Sequence, residues 1–273
     1  MLFAPSILTL GSFRYLKLSA VLMLASISTY IWHTPAIAPH GGTWLGYTLG
    51  TAGAALIVWL MLFGLRKRDY RSRLGSVRGW LSAHVYLGAA LVVIGTLHTG
   101  FEFGWNVHTA AYVLMLAVVA SGIWGVVLYF RNPALMSGLL EGRTLEQHAE
   151  VLREIDAQSR RLAADLDAAV QALVERSAQA PLVGRLGGRL RGHVMACPTR
   201  RAVARLEPLA GSQGRAVREL YALQFQRLAQ LGKMRGFLRL KAWTDVWLLF
   251  HVPLSFALLA ALLAHIVAVF FYW

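Results

Sequence analysis

Residues 80–100 read WLSAHVYLGAALVVIGTLHTG, a mostly apolar run without a single Asp, Glu, Lys or Arg. A helix of about 20 such residues crosses the hydrocarbon core of a bilayer. Four other stretches are similarly apolar, so the sequence predicts five membrane spans. In chain order the spans are Tyr15–His33, Trp44–Leu65, Trp80–Thr99, His108–Phe130 and Trp243–Tyr272.

The composition of the whole chain agrees with a membrane protein. Of its 273 residues, 57% are apolar and 15% are charged, whereas soluble proteins average about 45–50% apolar and about 25% charged residues. This composition excludes an ordinary soluble domain. The single cysteine, Cys197, excludes an internal disulfide framework and cannot form a cysteine-rich zinc or iron–sulfur site by itself.

The 27 Lys and Arg residues are distributed unevenly among the loops, and the net charge is +14. They occur in the N-terminal tail, between the second and third spans, and between the fourth and fifth spans. The loops around Thr34–Thr43 and Gly100–Asn106 contain none. Because positive loops stay in the cytoplasm, we expect a bacterial inner-membrane protein with a cytoplasmic N-terminus and a periplasmic C-terminus.

The expected fold is all-α, a polytopic membrane helix bundle of five transmembrane helices plus a cytoplasmic helical hairpin. Residues 1–130 would hold transmembrane helices 1–4, and residues 242–273 would form the fifth. Residues 131–241 would form a basic cytoplasmic insertion between them. The string Ala36-Ile37-Ala38, which follows the first span, is typical of a signal cleavage site. We nevertheless expect the first span to be retained.

Within the insertion, apolar residues at helical spacing predict helices over Arg143–Gln179 and Arg215–Met234. Thr144 and Gln147 predict a capping box at the start of the first helix. The Gly- and Arg-rich segment Pro181–Gly214 would be the basic tip. We expect the positive charge of this tip to form a solvated face or to contact anionic membrane lipid. The alternative is that it docks an acidic redox partner. Because the tip has no aromatic residues interleaved with its arginines, we do not expect the protein to bind nucleic acid.

Two spans each carry two histidines 14 residues apart: His84 and His98 on the third, His251 and His265 on the fifth. This spacing is about 40° short of four helical turns, so both rings lie on one face, about 21 Å apart along the axis. The two spans run in the same direction. His84 therefore pairs with His251 toward the cytoplasm, and His98 with His265 toward the outside.

Two histidine pairs at two depths are the ligand sets that two six-coordinate haem irons need, with one neutral imidazole on each side of the porphyrin. Zinc or copper would need ligands within one coordination sphere. A single histidine pair could instead be a proton relay or a metal site, and a single histidine could serve only as an interhelical hydrogen-bonding group. Gly88 and Gly95 would leave room for the ring, and Arg78 would pair with a propionate, although helix packing and topology explain the same residues.

The histidines lie within the strings LRKR (65–68), WLSAHVYLG (80–88), LHTGF (97–101) and SGIWG (121–125), followed by the His251/His265 pair. With these strings, spans two to five resemble the bis-haem b-type membrane cytochromes, particularly the ferric reductase-like transmembrane family and related bacterial cytochrome b subunits. The resemblance implies two haem b groups that pass electrons across the membrane. The flavin and nucleotide domain of flavin-containing ferric reductases is expected to be absent.

We therefore expect a di-haem cytochrome b that links quinone, quinol or another donor to a partner oxidoreductase. The partner would be a cytoplasmic flavin or iron–sulfur protein, or a periplasmic cytochrome. Glu102 and His108 are candidate proton acceptors for quinol oxidation, with ordinary interfacial residues as the alternative. A self-sufficient oxidoreductase acting on ferric chelates, superoxide or quinone, and a non-redox transporter or scaffold, remain open. His148 and His193 are expected to be surface histidines, and Cys197 inert.

Overall fold

The computed structural model describes residues 6–35, 40–69, 71, 73–182, 190, 197–212 and 214–271. These residues form helices and no strand, which confirms the all-α class. The helices are α1 (Leu10–Trp32), α2 (Trp44–Arg68), α3 (Val77–Thr99), α4 (Val107–Leu140), α5 (Leu145–Ala163), α6 (Ala168–Ala178), α7 (Pro198–Ser212) and α8 (Gly214–Phe271).

Five helical segments are long and apolar enough to cross a membrane: α1, α2, α3, the segment that begins at Val107, and α8. Large apolar side chains on these helices, such as Ile31, Leu249 and Phe270, are exposed. Exposed apolar surface of this extent suits contact with membrane lipid. The chain is therefore a multi-pass membrane protein.

Short polar residues and glycine set the ends of several helices. The Thr43 hydroxyl accepts a hydrogen bond from the Gly46 N–H, and the Ser76 hydroxyl accepts one from the Gly79 N–H, so each satisfies a free donor at a helix start. α3 ends at Gly100, which has a φ of 60° that glycine adopts without strain. The predicted Thr144/Gln147 capping box at the start of α5 is confirmed.

The chain divides into two compact units. The first unit contains Met1–Val126 and Trp247–Trp273, and the second contains Val127–Val246. α4 and α8 each contribute residues to both.

In the first unit, α3 packs against both α1 and α2. The Ser19 hydroxyl donates to the Tyr86 carbonyl oxygen at 2.7 Å, which joins α1 to α3. A buried apolar cluster joins α2, α3, α4 and the last part of α8. Its members are Ile57, Leu91, Met115, Leu258 and Leu262.

In the second unit, a buried polar network lies beside the apolar core of α5, α6, α7 and α8. Arg227 is only 1% exposed and donates to the Asp156 carboxylate at 2.6 Å. It also donates to Thr199 and to the Ala178 carbonyl oxygen. A buried charge persists only when it is paired and hydrogen-bonded, so Arg227 determines how these four helices meet.

The insertion contains more helices than the sequence predicts, and the expected two-helix hairpin is not confirmed. The helix expected over Arg143–Gln179 is interrupted after Ala163, where the Gln171 side chain donates to two carbonyl oxygens of the turn. The helix expected over Arg215–Met234 is only the first part of α8, which continues to Phe271.

Two further expectations for the insertion are wrong. Part of the expected basic tip is α7, whose Ala202 and Leu206 are fully buried. Pro198 at its start and Pro208 inside it obscured this amphipathic helix in the sequence. His148 is not a surface residue, because it is 1% exposed and hydrogen-bonded to Leu140 and Gln230. Most of the tip before Cys197, with His193, and the Ala36–Ala38 string lie outside the described residues.

Candidate functional site

His98 of α3 and His265 of α8 are neighbours in the first unit, as their predicted pairing requires. Their ring centres are 5.9 Å apart and the rings are inclined by 80°. The His98 Nδ1 atom donates to the Gly46 carbonyl oxygen of α2 at 2.8 Å. Since a carbonyl oxygen only accepts, the proton of the neutral ring is on Nδ1, and Nε2 carries a free lone pair.

Gly50 creates the space that the His98 ring occupies. A methyl group at Gly50 would lie 2.6 Å from His98 Cε1 and 2.9 Å from Nδ1, well inside van der Waals contact. Gly50 is not among the residues predicted from the sequence. The available signal was the spacing of Gly46, Gly50 and Gly53, which places three glycines on one face of α2.

The second outer histidine, His265, is held by His108 of α4. Their Nδ1 atoms are 2.6 Å apart and their ring centres 4.6 Å apart. One of the two Nδ1 atoms must donate. When His265 donates, its Nε2 is free for a ligand bond, and the exposed His108 carries its own proton on Nε2.

At the other pair, His84 of α3 donates from Nδ1 to the Leu60 carbonyl oxygen of α2 at 3.1 Å. The Nδ1 atom of His251 lies 2.6 Å from the Ser121 hydroxyl of α4. That hydroxyl also bonds the Val118 carbonyl oxygen, which uses its single proton. His251 Nδ1 is therefore the donor.

Trp247 braces the His251 side of this pair. Its indole N–H donates to the Ser121 carbonyl oxygen at 2.8 Å, and its ring lies 5.3 Å from the His251 ring, nearly parallel to it. Gly125 admits the indole, because a methyl group there would lie 2.1 Å from Trp247. Gly122 also lies beside His251, but a methyl group there would lie 3.6 Å from the ring, an ordinary van der Waals contact.

The same scheme holds at both pairs. Backbone carbonyls of α2 hold the two α3 histidines, and polar side chains of α4 hold the two α8 histidines. The two carbonyls, at Gly46 and Leu60, are themselves 14 residues apart, like the histidines. Every Nδ1 has a partner, whereas no described residue hydrogen-bonds any of the four Nε2 atoms. Second-sphere bonds of this kind orient ligand histidines in metal sites.

The spacing of His98 and His265 is one at which both rings could hold the same haem iron. With a metal–nitrogen distance of about 2 Å, two imidazoles on opposite sides of one metal ion have ring centres roughly 6 Å apart. The 5.9 Å between His98 and His265 agrees with that value. Among the described residues, no group of three or more His, Cys, Asp or Glu side chains is placed to hold a metal ion.

The other predicted site residues have different surroundings. Gly88 faces open space, with no atom within 4 Å of a methyl position, whereas the same position at Gly95 lies 2.9 Å from Met115 and makes a packing contact. Arg78 and Glu102 are exposed, and neither side chain has a partner among the described residues. Of the two candidate proton acceptors, only His108 contacts one of the four paired histidines, His265.

The chain was compared with protein-family models, with curated proteins and with solved structures, and none of them matches it.

Proposed function

We propose that this protein is a di-haem cytochrome b that carries electrons across a bacterial inner membrane. The observation that supports the proposal best is the shared state of His84, His98, His251 and His265. Each has Nδ1 held by a neighbouring helix and Nε2 without a partner among the described residues. A haem bound between the rings of each pair would supply an iron centre that accepts and releases one electron.

The residues of this chain would keep the ligands neutral and in position. The Gly46 and Leu60 carbonyls hold protons on Nδ1 of the α3 histidines, and this leaves Nε2 basic. The apolar helices around the pairs provide surroundings of low polarity, which influence the potential of a haem. Because histidines on one helix are about 21 Å apart along its axis, one pair would serve each membrane face.

The charge distribution assigns the two faces, and the electron donor and acceptor would lie at those faces. We place the N-terminus and the basic second unit in the cytoplasm and the C-terminus in the periplasm, because cations favour the cytoplasmic side. This chain would transfer electrons between quinol or another donor and a partner subunit. The partner would be a cytoplasmic flavin or iron–sulfur protein, or a periplasmic cytochrome. Of the two candidate proton acceptors, Glu102 is exposed and its carboxylate is free of any partner among the described residues, whereas the acceptor nitrogen of His108 is occupied when His265 donates to it. Glu102 is therefore the better candidate to accept a proton from quinol.

The test is haem quantification and a reduced-minus-oxidised absorption spectrum of the purified full chain. We expect two haem b per chain. His84→Ala and His251→Ala should each remove the same haem, and His98→Ala and His265→Ala the other. His40→Ala is the matched control and should retain both, because the His40 ring accepts a hydrogen bond only from the Gly42 N–H among the described residues. A colourless protein, or full haem content in all four variants, would refute the proposal.

A second experiment addresses the donor. If the protein is a quinol-linked cytochrome, a soluble quinol analogue should reduce its haems without any other reductant. Glu102→Gln, which leaves every histidine in place, should slow this reduction, while chemical reduction by dithionite stays unchanged. Reduction only by dithionite, in the native chain as well, would contradict a quinol donor.

A further inference from the structure

A strongly basic cavity lies in the second unit, away from the histidine pairs in sequence. It has a volume of about 420 Å³ and is lined by residues of α4, α7 and α8. Four arginines line it, and none of the described lining residues is acidic. The arginines are Arg131, Arg200, Arg235 and Arg239.

Arg235 is fixed in place at the wall of this cavity. Its guanidinium donates to the Pro181 carbonyl oxygen at 3.0 Å, and to the Leu182 carbonyl oxygen and the Cys197 sulfur at 3.3 Å each. A guanidinium has five N–H donors. Three are used by these bonds, so two remain for a bound group.

Cys197 shows that this part of the unit favours negative charge. The thiol is buried, and burial alone would raise its pKa. Hydrogen bonds from Arg235 and from the backbone N–H groups of Arg200 and Thr199 outweigh the burial, so the pKa of Cys197 lies below its usual value. These backbone groups belong to the first turn of α7, where the helix dipole also favours an anion.

The remaining cavity arginines have no counter-ion among the described residues. Arg131, Arg200 and Arg239 take part in no described side-chain hydrogen bond or ion pair. Some arginines elsewhere in the unit are paired, as in Arg153–Glu150 and Arg160–Glu175, whereas the unpaired arginines of the cavity stand together around one space. Cations gathered around a cavity without a carboxylate repel one another unless an anion binds.

The rest of the cavity wall is apolar. Four leucines line it, and Gly232 leaves open space on the α8 side, with no atom within 4 Å of a methyl position. The leucines are Leu135, Leu139, Leu228 and Leu240. The cavity therefore combines a cationic part with a hydrocarbon part, as a ligand with a charged head and an apolar tail requires.

Two of the arginines lie where apolar helix segments end. Arg131 directly follows the apolar run that ends at Phe130, and Arg239 lies four residues, about 6 Å, before Trp243 along α8. Basic pockets at this level of a membrane helix bundle meet the phosphates of the lipid headgroups.

We propose that this cavity binds the phosphate group of an anionic phospholipid, with Arg131, Arg200, Arg235 and Arg239 around the phosphate and the leucines against the apolar part. Arginine suits this role because its planar guanidinium bonds two phosphate oxygens at once. The proposal is independent of the haem assignment, since none of these residues belongs to the histidine pairs.

The test uses the full chain in detergent and native mass spectrometry with added dioleoylphosphatidylglycerol, dioleoylphosphatidylcholine or inorganic phosphate. We expect the native chain to retain the anionic lipid in preference to the zwitterionic one. The triple variant Arg131→Gln/Arg200→Gln/Arg239→Gln should bind the anionic lipid roughly tenfold more weakly or worse, because charge-assisted bonds are lost. Arg201→Gln/Arg205→Gln/Arg218→Gln removes three exposed cations outside the cavity and is the charge-matched control.

Gly232→Leu provides a second test that keeps every arginine. The new side chain would fill the cavity and should displace the lipid, with the elution volume and helix content of the chain unchanged. Competition by inorganic phosphate would support recognition of the phosphate itself, whereas phosphate binding without lipid binding would overturn the lipid assignment. Equal loss of lipid in both triple variants, or normal lipid binding by Gly232→Leu, would also overturn the proposal.

Discussion

The Nδ1 atom of His98 donates to the carbonyl oxygen of Gly46 at 2.8 Å, so a backbone group of α2 determines which nitrogen of an α3 histidine remains free. The bond forms because the neighbouring Gly50 has no side chain. A methyl group there would overlap the imidazole. One glycine therefore controls the position of a predicted haem ligand without touching the ligand bond.

Gly50→Ala tests this relationship. The added methyl group must displace the His98 ring, so we expect loss of the outer haem and a fall from two haems to about one per chain. Second-sphere changes typically weaken metal affinity by roughly 10- to 100-fold. Haem quantification measures the effect. Gly64→Ala is the control on the same helix, because its methyl position meets no atom within 4 Å; equal haem content in both variants would contradict the prediction.

Ser121→Ala removes the acceptor of the His251 Nδ1 proton. We expect the inner haem to bind more weakly and its midpoint potential to shift, while the outer haem is unchanged. Redox titration followed by visible absorption separates the two haems. Ser255→Ala is the matched control, because that hydroxyl bonds the His251 carbonyl oxygen rather than its ring. A potential that shifts equally in both variants would argue against a role for the ring bond.

Arg227→Met should destabilise the second unit strongly. The substitution leaves the Asp156 carboxylate, largely buried, without its cation, and breaking such a pair costs about 3–5 kcal/mol. Thermal unfolding followed by circular dichroism of the full chain would show this as an earlier transition. Arg218→Met, at an exposed position of the same helix, should change little. Adding Asp156→Leu to Arg227→Met should recover part of the loss, and no recovery would contradict the pairing argument.

The thiol of Cys197 should titrate at a lower pH in the native chain than in Arg235→Met. Burial opposes ionisation of the thiol, and the Arg235 hydrogen bond is the largest influence that favours it. Without that bond the pKa rises, so the pH at which the thiolate forms must rise as well. Because the chain has one cysteine, the pH dependence of alkylation by iodoacetamide reports on this site alone. Arg201→Met should leave the profile unchanged, and an unshifted profile in Arg235→Met would be evidence against the contact.

The five spans, the helical class and the 14-residue histidine spacing could be predicted from the sequence, because hydropathy and helical periodicity are local properties. The insertion was harder to predict. α7 carries prolines at positions 198 and 208 and several arginines, so its buried Ala202 and Leu206 form only a short apolar stripe. The burial of His148 depends on Gln230, which is 82 residues away.

What the sequence by itself determined is where the chain can cross a membrane and which histidines can share a depth, since both depend on residue type and helical rise. Only the tertiary structure decided which nitrogen of each histidine is held. Every residue has a carbonyl group, and the close approach of α2 to α3 at Gly50 selects the one at Gly46. The basic cavity was decided in the same way, because Arg131 and Arg239 are far apart in the chain and gather only when the second unit folds.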